Sequence, residues 1–154
     1  MIVETEPLFD KKQTSDKIKK IVAKFYTDLA AVEIIQDGEP IRAADMDLNQ
    51  FYNFVRSIPY RRDKKPREII ARPFLILKHN RLGMDCKKKT ILIGAWARWH
   101  NIPCRYIGSS TRADHKIHHI FPQLKISGDW INVDATYPEY RIGEKKVVTK
   151  AEIL

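Results

Sequence analysis

From Ser15 to about Gln36, apolar residues fall at Ile18, Ile21, Val22, Phe25, Leu29 and Val32, steps of three and four that predict one buried helical face. Thr14 or Ser15 is the expected cap, and Asp37-Gly38-Glu39-Pro40 ends the helix in a turn. A second helix is expected from Met46 to about Ser57, capped by Asp45, with Leu48, Phe51, Tyr52 and Val55 facing inward and Pro59 as its stop. Arg61 to Lys65 reads as loop. Pro66 suits the first turn of a third helix running through Ile69, Ile70, Phe74 and Leu77, kinked or split at Pro73. After the break at Leu82-Gly83-Met84, Asp85 precedes the strongest helical pattern, Cys86 to about His100. Ile91, Leu92, Ile93, Ala95, Trp96 and Trp99 leave it little solvated surface, so it is predicted to be the central buried helix.

Past Asn101-Ile102-Pro103 the pattern changes to short β-type runs: Cys104 to Ile107, His119 to Ile126, and Trp130 to Val133, with Ser127-Gly128-Asp129 as a hairpin turn. Val147-Val148 is the expected edge strand. Helices first and an antiparallel sheet afterwards describe an α+β fold. With 154 residues, a single domain over 1–154 is expected, comprising a helical part (1–82), a core (83–136) and an extension (137–154).

Composition narrows the class. A 44% apolar share argues for a folded chain. The longest apolar region, Ile91 to Trp99, is broken by Gly94 and Arg98, so no membrane span is expected. The first twelve residues lack the order of a secretory signal, and two cysteines make no disulfide framework, which points to a reduced cytoplasmic protein. The net charge is +9, and its distribution is uneven: residues 1–60 carry 8 basic and 10 acidic side chains, 61–116 carry 15 and 4, and 117–154 carry 5 and 5. Such an excess ordinarily suggests an acidic partner, nucleic acid first.

The excess surrounds Cys86. A thiol at a helix start meets unsatisfied N–H groups and the positive end of the dipole, which favour thiolate, and Lys87, Lys88 and Lys89 would add to that field. The bland counterparts are a buried structural cysteine and a solvated lysine face. A nucleophilic thiol needs a base and a group to orient it; His119 and Asp134, at the two ends of the predicted hairpin, can serve, while His118 competes with His119 and strand alternation does not choose between them.

The run Gly83-Met84-Asp85-Cys86, the phrase Asn101-Ile102-Pro103-Cys104-Arg105-Tyr106, and Trp130-Ile131-Asn132-Val133-Asp134-Ala135-Thr136 resemble the transglutaminase-like, papain-related superfamily. On that register the family's histidine falls on His119, with Phe121 and Gln123 where it has Trp and Glu. The match covers residues 83–136. It departs where acidic residues after the Cys become lysines, where Pro122 interrupts the histidine strand, and where Asp-Pro-Thr becomes Asp134-Ala135-Thr136. The resemblance implies a papain-like core and a Cys86, His119, Asp134 triad working through a thioester. It further implies a peptidase or amidase acting on a protein or peptide, with an acidic one suited to the basic surroundings.

The Cys86 N–H is the natural first oxyanion donor, and Asn80, His79 and Tyr60 are candidates for the second. Two alternatives stand beside this reading: a cross-linking transglutaminase, and a non-catalytic structural or nucleic-acid-associated module, of a phage particle for instance, which would place the protein in a virion. Asp114, His115, His118 and His119 form the one cluster that hints at zinc, but no second cluster completes a four-ligand set, and no metal or cofactor is expected. Cys104, Trp96 and Trp99 read as packing residues.

Overall fold

The computed structural model describes residues 3–6, 11–62, 68–80 and 83–154. Strand β1 (Val3–Glu6) leads into helix α1 (Lys11–Phe25) and a 3-10 turn (Tyr26–Ala30), followed by the hairpin β2 (Glu33–Gln36) and β3 (Glu39–Arg42). Helix α2 (Leu48–Ser57), strand β4 (Glu68–Ala71), helix α3 (Pro73–Lys78) and helix α4 (Cys86–Trp99) come next. The chain finishes with β5 (Cys104–Ser110), β6 (His119–Ile126), β7 (Asp129–Asn132) and β8 (Lys150–Ile153), which form an antiparallel sheet in the order β7-β6-β5-β8.

Helix α4 is the centre of the α+β arrangement. It packs on α1, α2 and the 3-10 turn on one side and on β6 on the other, and residues Ile91 to Ala97 are all buried. The stripes read from the sequence face the core: Ile18, Ile21, Val22, Leu29, Phe51, Tyr52 and Val55 are buried, and Trp96 donates its indole N–H to Met46 O (2.9 Å). Trp99 is half-buried against Tyr26.

Close approach at one glycine permits this packing. A Cβ at Gly94 would lie 2.5 Å from the Tyr106 hydroxyl and 3.3 Å from Val22 Cγ2. Helix propensity alone would make Gly94→Ala favourable by about 1 kcal/mol. Overpacking a buried site costs about 1–3 kcal/mol. Because the Tyr106 ring is itself buried, the clash dominates, and the Gly94→Ala protein is expected to show a lower urea midpoint than the parent.

Several boundaries differ from the sequence expectation. The first helix ends at Phe25, and Glu33–Gln36 is a strand, because Asp37 (φ 50°) and Gly38 (φ 80°) make a two-residue hairpin turn that joins Ile34-Ile35 to Ile41. Thr14 and Ser15 are buried inside α1 and do not cap it. Asp47, not Asp45, caps α2, in a capping box with Gln50; Asp45 pairs with Arg42. The third helix is split at Pro73, one of the two outcomes expected there, but the part before it is a strand: Glu68–Ala71 pairs with β1, and Pro73 opens α3, since the residue before proline is held extended. Four strands therefore lie within the stretch expected to be helical. Pro66, Leu82 and most of the Arg61 to Lys65 loop lie outside the described residues. The edge strand is Lys150–Ile153, while Val147 is 96% exposed. The Ser127-Gly128 turn forms as expected, with φ of 53° and 86°.

Candidate active site

Cys86 is the first residue of α4. Asp85 caps the helix, its Oδ1 accepting from Lys88 N (3.1 Å) and its backbone oxygen from Lys89 N (3.2 Å). That leaves the Cys86 N–H, at the first helical position, outside the intrahelical ladder. The approach to the helix is held by a bridge between Tyr60 and Met84, in which Met84 N donates to Pro59 O (2.9 Å) and Arg61 N to Met84 O (3.1 Å). Gly83 allows it: φ is +96°, and a Cβ there would lie 2.5 Å from Pro59 O.

The β6–β7 hairpin brings His119 and Asp134 together. His119 donates from Nε2 to Asp134 Oδ2 at 2.7 Å, which leaves Nδ1 free of that bond, and the Cys86 sulfur lies near enough to the imidazole to favour its protonated form. A carboxylate only accepts, so the tautomer at Nε2 is set by this bond. His119 stacks on Phe121, with ring centroids 5.7 Å apart. Burial lowers the His119 pKa, but the hydrogen bonds and negative charge of Asp134 and of the Cys86 sulfur outweigh it, and the pKa is raised to about 9. Asp134 shows the mirror image: burial raises it, yet His119 and Lys146 hold it down at about 2.

Asp134 is anchored on every side. Oδ1 accepts from Thr136 N (3.0 Å) and Thr136 Oγ1 (2.5 Å), its backbone oxygen accepts from Tyr52 Oη (2.8 Å), and Lys146 Nζ lies 2.8 Å from Oδ2. Cys86 is 6% exposed and packs with the core, while the His119 side chain beside it is 18% exposed.

His118 turns the other way. Its Nε2 accepts from Thr111 N (3.0 Å), and burial together with Arg112 lowers its pKa. The hint of zinc is likewise dispersed: Asp114 accepts from Lys116 N, and His115 Nδ1 donates to Thr149 O (3.1 Å). Among the described residues, no group of three or more His, Cys, Asp or Glu is placed to hold a metal ion. Cys104 lies away from this cluster, where burial pushes its thiol up to about 12.

The lysine run is not a solvated face. Lys87 and Lys89 are buried; Lys87 pairs with Asp85, and Lys89 donates to Ile58 O (2.5 Å), Ala135 O (3.0 Å) and Thr136 O (3.0 Å). Burial lowers Lys89 to about 8 against the opposing charge of Asp134. These two cations therefore face the protein, and Lys89 ties the cysteine helix to the segment behind Asp134. One signal for this was in the sequence: position 89 is one turn from Cys86 on a helix with no polar face. Lys146 gave no such signal, because it lies in an aperiodic stretch.

Of the three candidates for the second oxyanion donor, Asn80 Nδ2 bonds Leu77 O (3.0 Å) at the end of α3, His79 is exposed, and Tyr60 stands beside the site, its ring 5.0 Å from that of Tyr137.

A family model described as the transglutaminase-like superfamily matches residues 31–135, which include all of α4 and the β6–β7 hairpin. Among solved structures, the chain resembles that of a "putative cysteine protease" from Cytophaga hutchinsonii at 19% identity and a TM-score of 0.42, covering 79% of this chain and 37% of that one. The chain thus spans little more than a third of that protein's length. No curated protein matches it. Among the described residues, no helix is long and apolar enough to cross a membrane.

Proposed function

Because the chain belongs to the transglutaminase-like superfamily, we propose that it is a cysteine-dependent acyl-transfer enzyme, a peptidase or amidase in which Cys86 is the nucleophile, His119 the general base and acid, and Asp134 the group that orients the imidazole. The observation that carries this reading is the His119 ring itself, bonded to Asp134 through Nε2 and close enough to the Cys86 sulfur for the two to interact.

In the proposed reaction the Cys86 sulfur attacks the acyl carbon, and its proton passes to His119 Nδ1. The tetrahedral oxyanion is met by the Cys86 N–H at the helix opening. Collapse breaks the bond to the leaving amine, which takes the proton from His119, and a thioester remains. Water, deprotonated by His119, then cleaves the thioester and restores the thiol. Arg61 and Arg62, exposed and carried to the site by the Tyr60–Met84 bridge, favour protein or peptide substrates with acidic residues near the cleaved bond. The nucleic-acid reading gains little from the lysine run, since Lys87 and Lys89 are engaged internally.

Alkylation by iodoacetamide tests the nucleophile without a known substrate. Cys86 is expected to react at pH 6 much faster than an ordinary thiol, and the advantage should disappear in His119→Ala. A pH profile typical of a free thiol, unchanged by that substitution, overturns the reading. Cleavage of casein in ¹⁸O-labelled water should place label in the new carboxyl termini, whereas incorporation of an added amine in its place would make the protein a transglutaminase.

A further inference from the structure

Lys146 is an anomaly. Its ammonium is buried, and among the described residues it makes no hydrogen bond of regular geometry, although burying a charge is among the costliest arrangements a fold can contain unless a counter-charge is held against it. What surrounds it is Asp134 Oδ2 at 2.8 Å, a charge contact, together with the face of Tyr140 at 3.3 Å and the ring of Phe121 at 5.5 Å. The anion it meets is the one that holds His119, and at the same oxygen.

We propose that Lys146 is a positioning residue that neutralises Asp134, so that the His119 imidazole works against a net-neutral Asp134–Lys146 pair and can release its proton to the leaving group. The inference rests on the cysteine-enzyme reading above. The physical argument is one of balance. A bare buried carboxylate bonded to an imidazole holds the imidazolium strongly, which helps to form the thiolate but hinders the later proton donation. A cation on the same oxygen removes much of that hold while leaving the orienting hydrogen bond in place. The aromatic walls keep the ammonium from turning to solvent, so the compensation is built into the fold.

The charged and titratable groups around His119 are few. Cys86 comes from α4, with Lys89 behind Asp134; His118 lies beside it on β6 but is turned to Thr111. Asp134 and Lys146 follow the hairpin, Tyr137, Tyr140 and Glu144 lie on the same covering segment, and Tyr52 comes from α2. Of these, Lys146 is the cation in direct contact with the carboxylate that bonds the ring.

Lys146→Met keeps the side-chain stem and removes the charge, and Lys146→Arg keeps the charge. The exposed neighbour Lys145→Met controls for net charge. Cys86 alkylation by iodoacetamide across pH 5 to 11 should show an alkaline break from loss of the imidazolium proton. Without the Lys146 charge the imidazolium is retained longer, so in Lys146→Met this break is expected to move up by about one pH unit or more, the scale of a unit charge a few ångströms away at an effective dielectric near 20. It should stay at the parent position in Lys146→Arg and Lys145→Met. A thermal melt on each variant accompanies the profile. A lower melting temperature in Lys146→Met with the break unmoved assigns Lys146 to structure and overturns the proposal. A His119-independent profile in the parent overturns the cysteine-enzyme reading instead, so the two failures are distinguishable.

Discussion

Lys89→Met is expected to destabilise the protein by about 2–5 kcal/mol, read from the shift in its urea midpoint at pH 7. The substitution strands three buried carbonyls, those of Ile58, Ala135 and Thr136, and each unsatisfied acceptor costs about 1–3 kcal/mol. Part of that is offset. Burial already pushes the Lys89 ammonium down to about 8, so removing it relieves the cost of holding a charge inside. The carbonyls cannot be removed along with it, which decides the sign. The loss should also reach the site, because Thr136, whose oxygen Lys89 holds, is the residue that anchors Asp134 Oδ1. Lys145→Met, at an exposed position, should fall within about 0.5 kcal/mol of the parent. A Lys89→Met protein as stable as that control would mean that the three carbonyls find other donors.

The second large effect is at Asp134. Asp134→Ala removes the counterion of Lys146, the acceptor of the His119 and Thr136 bonds, and the negative charge between them. Breaking a buried ion pair by deleting one partner costs about 3–5 kcal/mol, a large share of an ordinary fold's 5–15. Acid titration gives a second readout. The Asp134 pKa is lowered from 3.8 in the unfolded chain to about 2 in the fold, so its contribution is fully present above pH 3.8 and is lost as pH falls toward 2. The parent should therefore lose stability over that window more steeply than Asp134→Ala, which has nothing left to protonate there. Parallel acid curves for the two proteins would show that Asp134 does not contribute to acid unfolding.

The parts of this fold that were legible in the sequence are those set by local rules. The stripe of α2, the apolar run of α4 and the Ser127-Gly128 hairpin follow from periodicity and turn chemistry alone, and each formed close to its expected bounds. The strands β1 to β4 were missed because their pairing depends on distant chain. Ile69-Ile70 is as consistent with a helix face as with a strand until Val3–Glu6 lies beside it. Pro73 marked a boundary without fixing what precedes it: a proline inside an apolar run can follow a helix or a strand, and pairing with β1 decides for the strand.

At the site, Cys86, His119 and Asp134 are the residues that spacing and family resemblance single out, and His119 and Asp134 are directly hydrogen-bonded, with Cys86 nearby. The choice between His118 and His119, left open by alternation, follows from their separate partners, Thr111 and Asp134. The burial of Lys87 and Lys89 ran against the usual behaviour of lysine, and it changes the meaning of the basic middle third of the chain. Its charge is partly internal scaffolding rather than a surface field.

Asp134 receives contacts from Tyr52 on α2, His119 on β6, Thr136 just beyond it and Lys146 on the covering segment, while Cys86 reaches the same ring from α4. These five positions span nearly a hundred residues of chain and come together only when helices and sheet are both docked. Under the proposed mechanism, a thiol that depends on that convergence is not activated in a partly unfolded chain. Activation is then tied to the cooperativity of the fold.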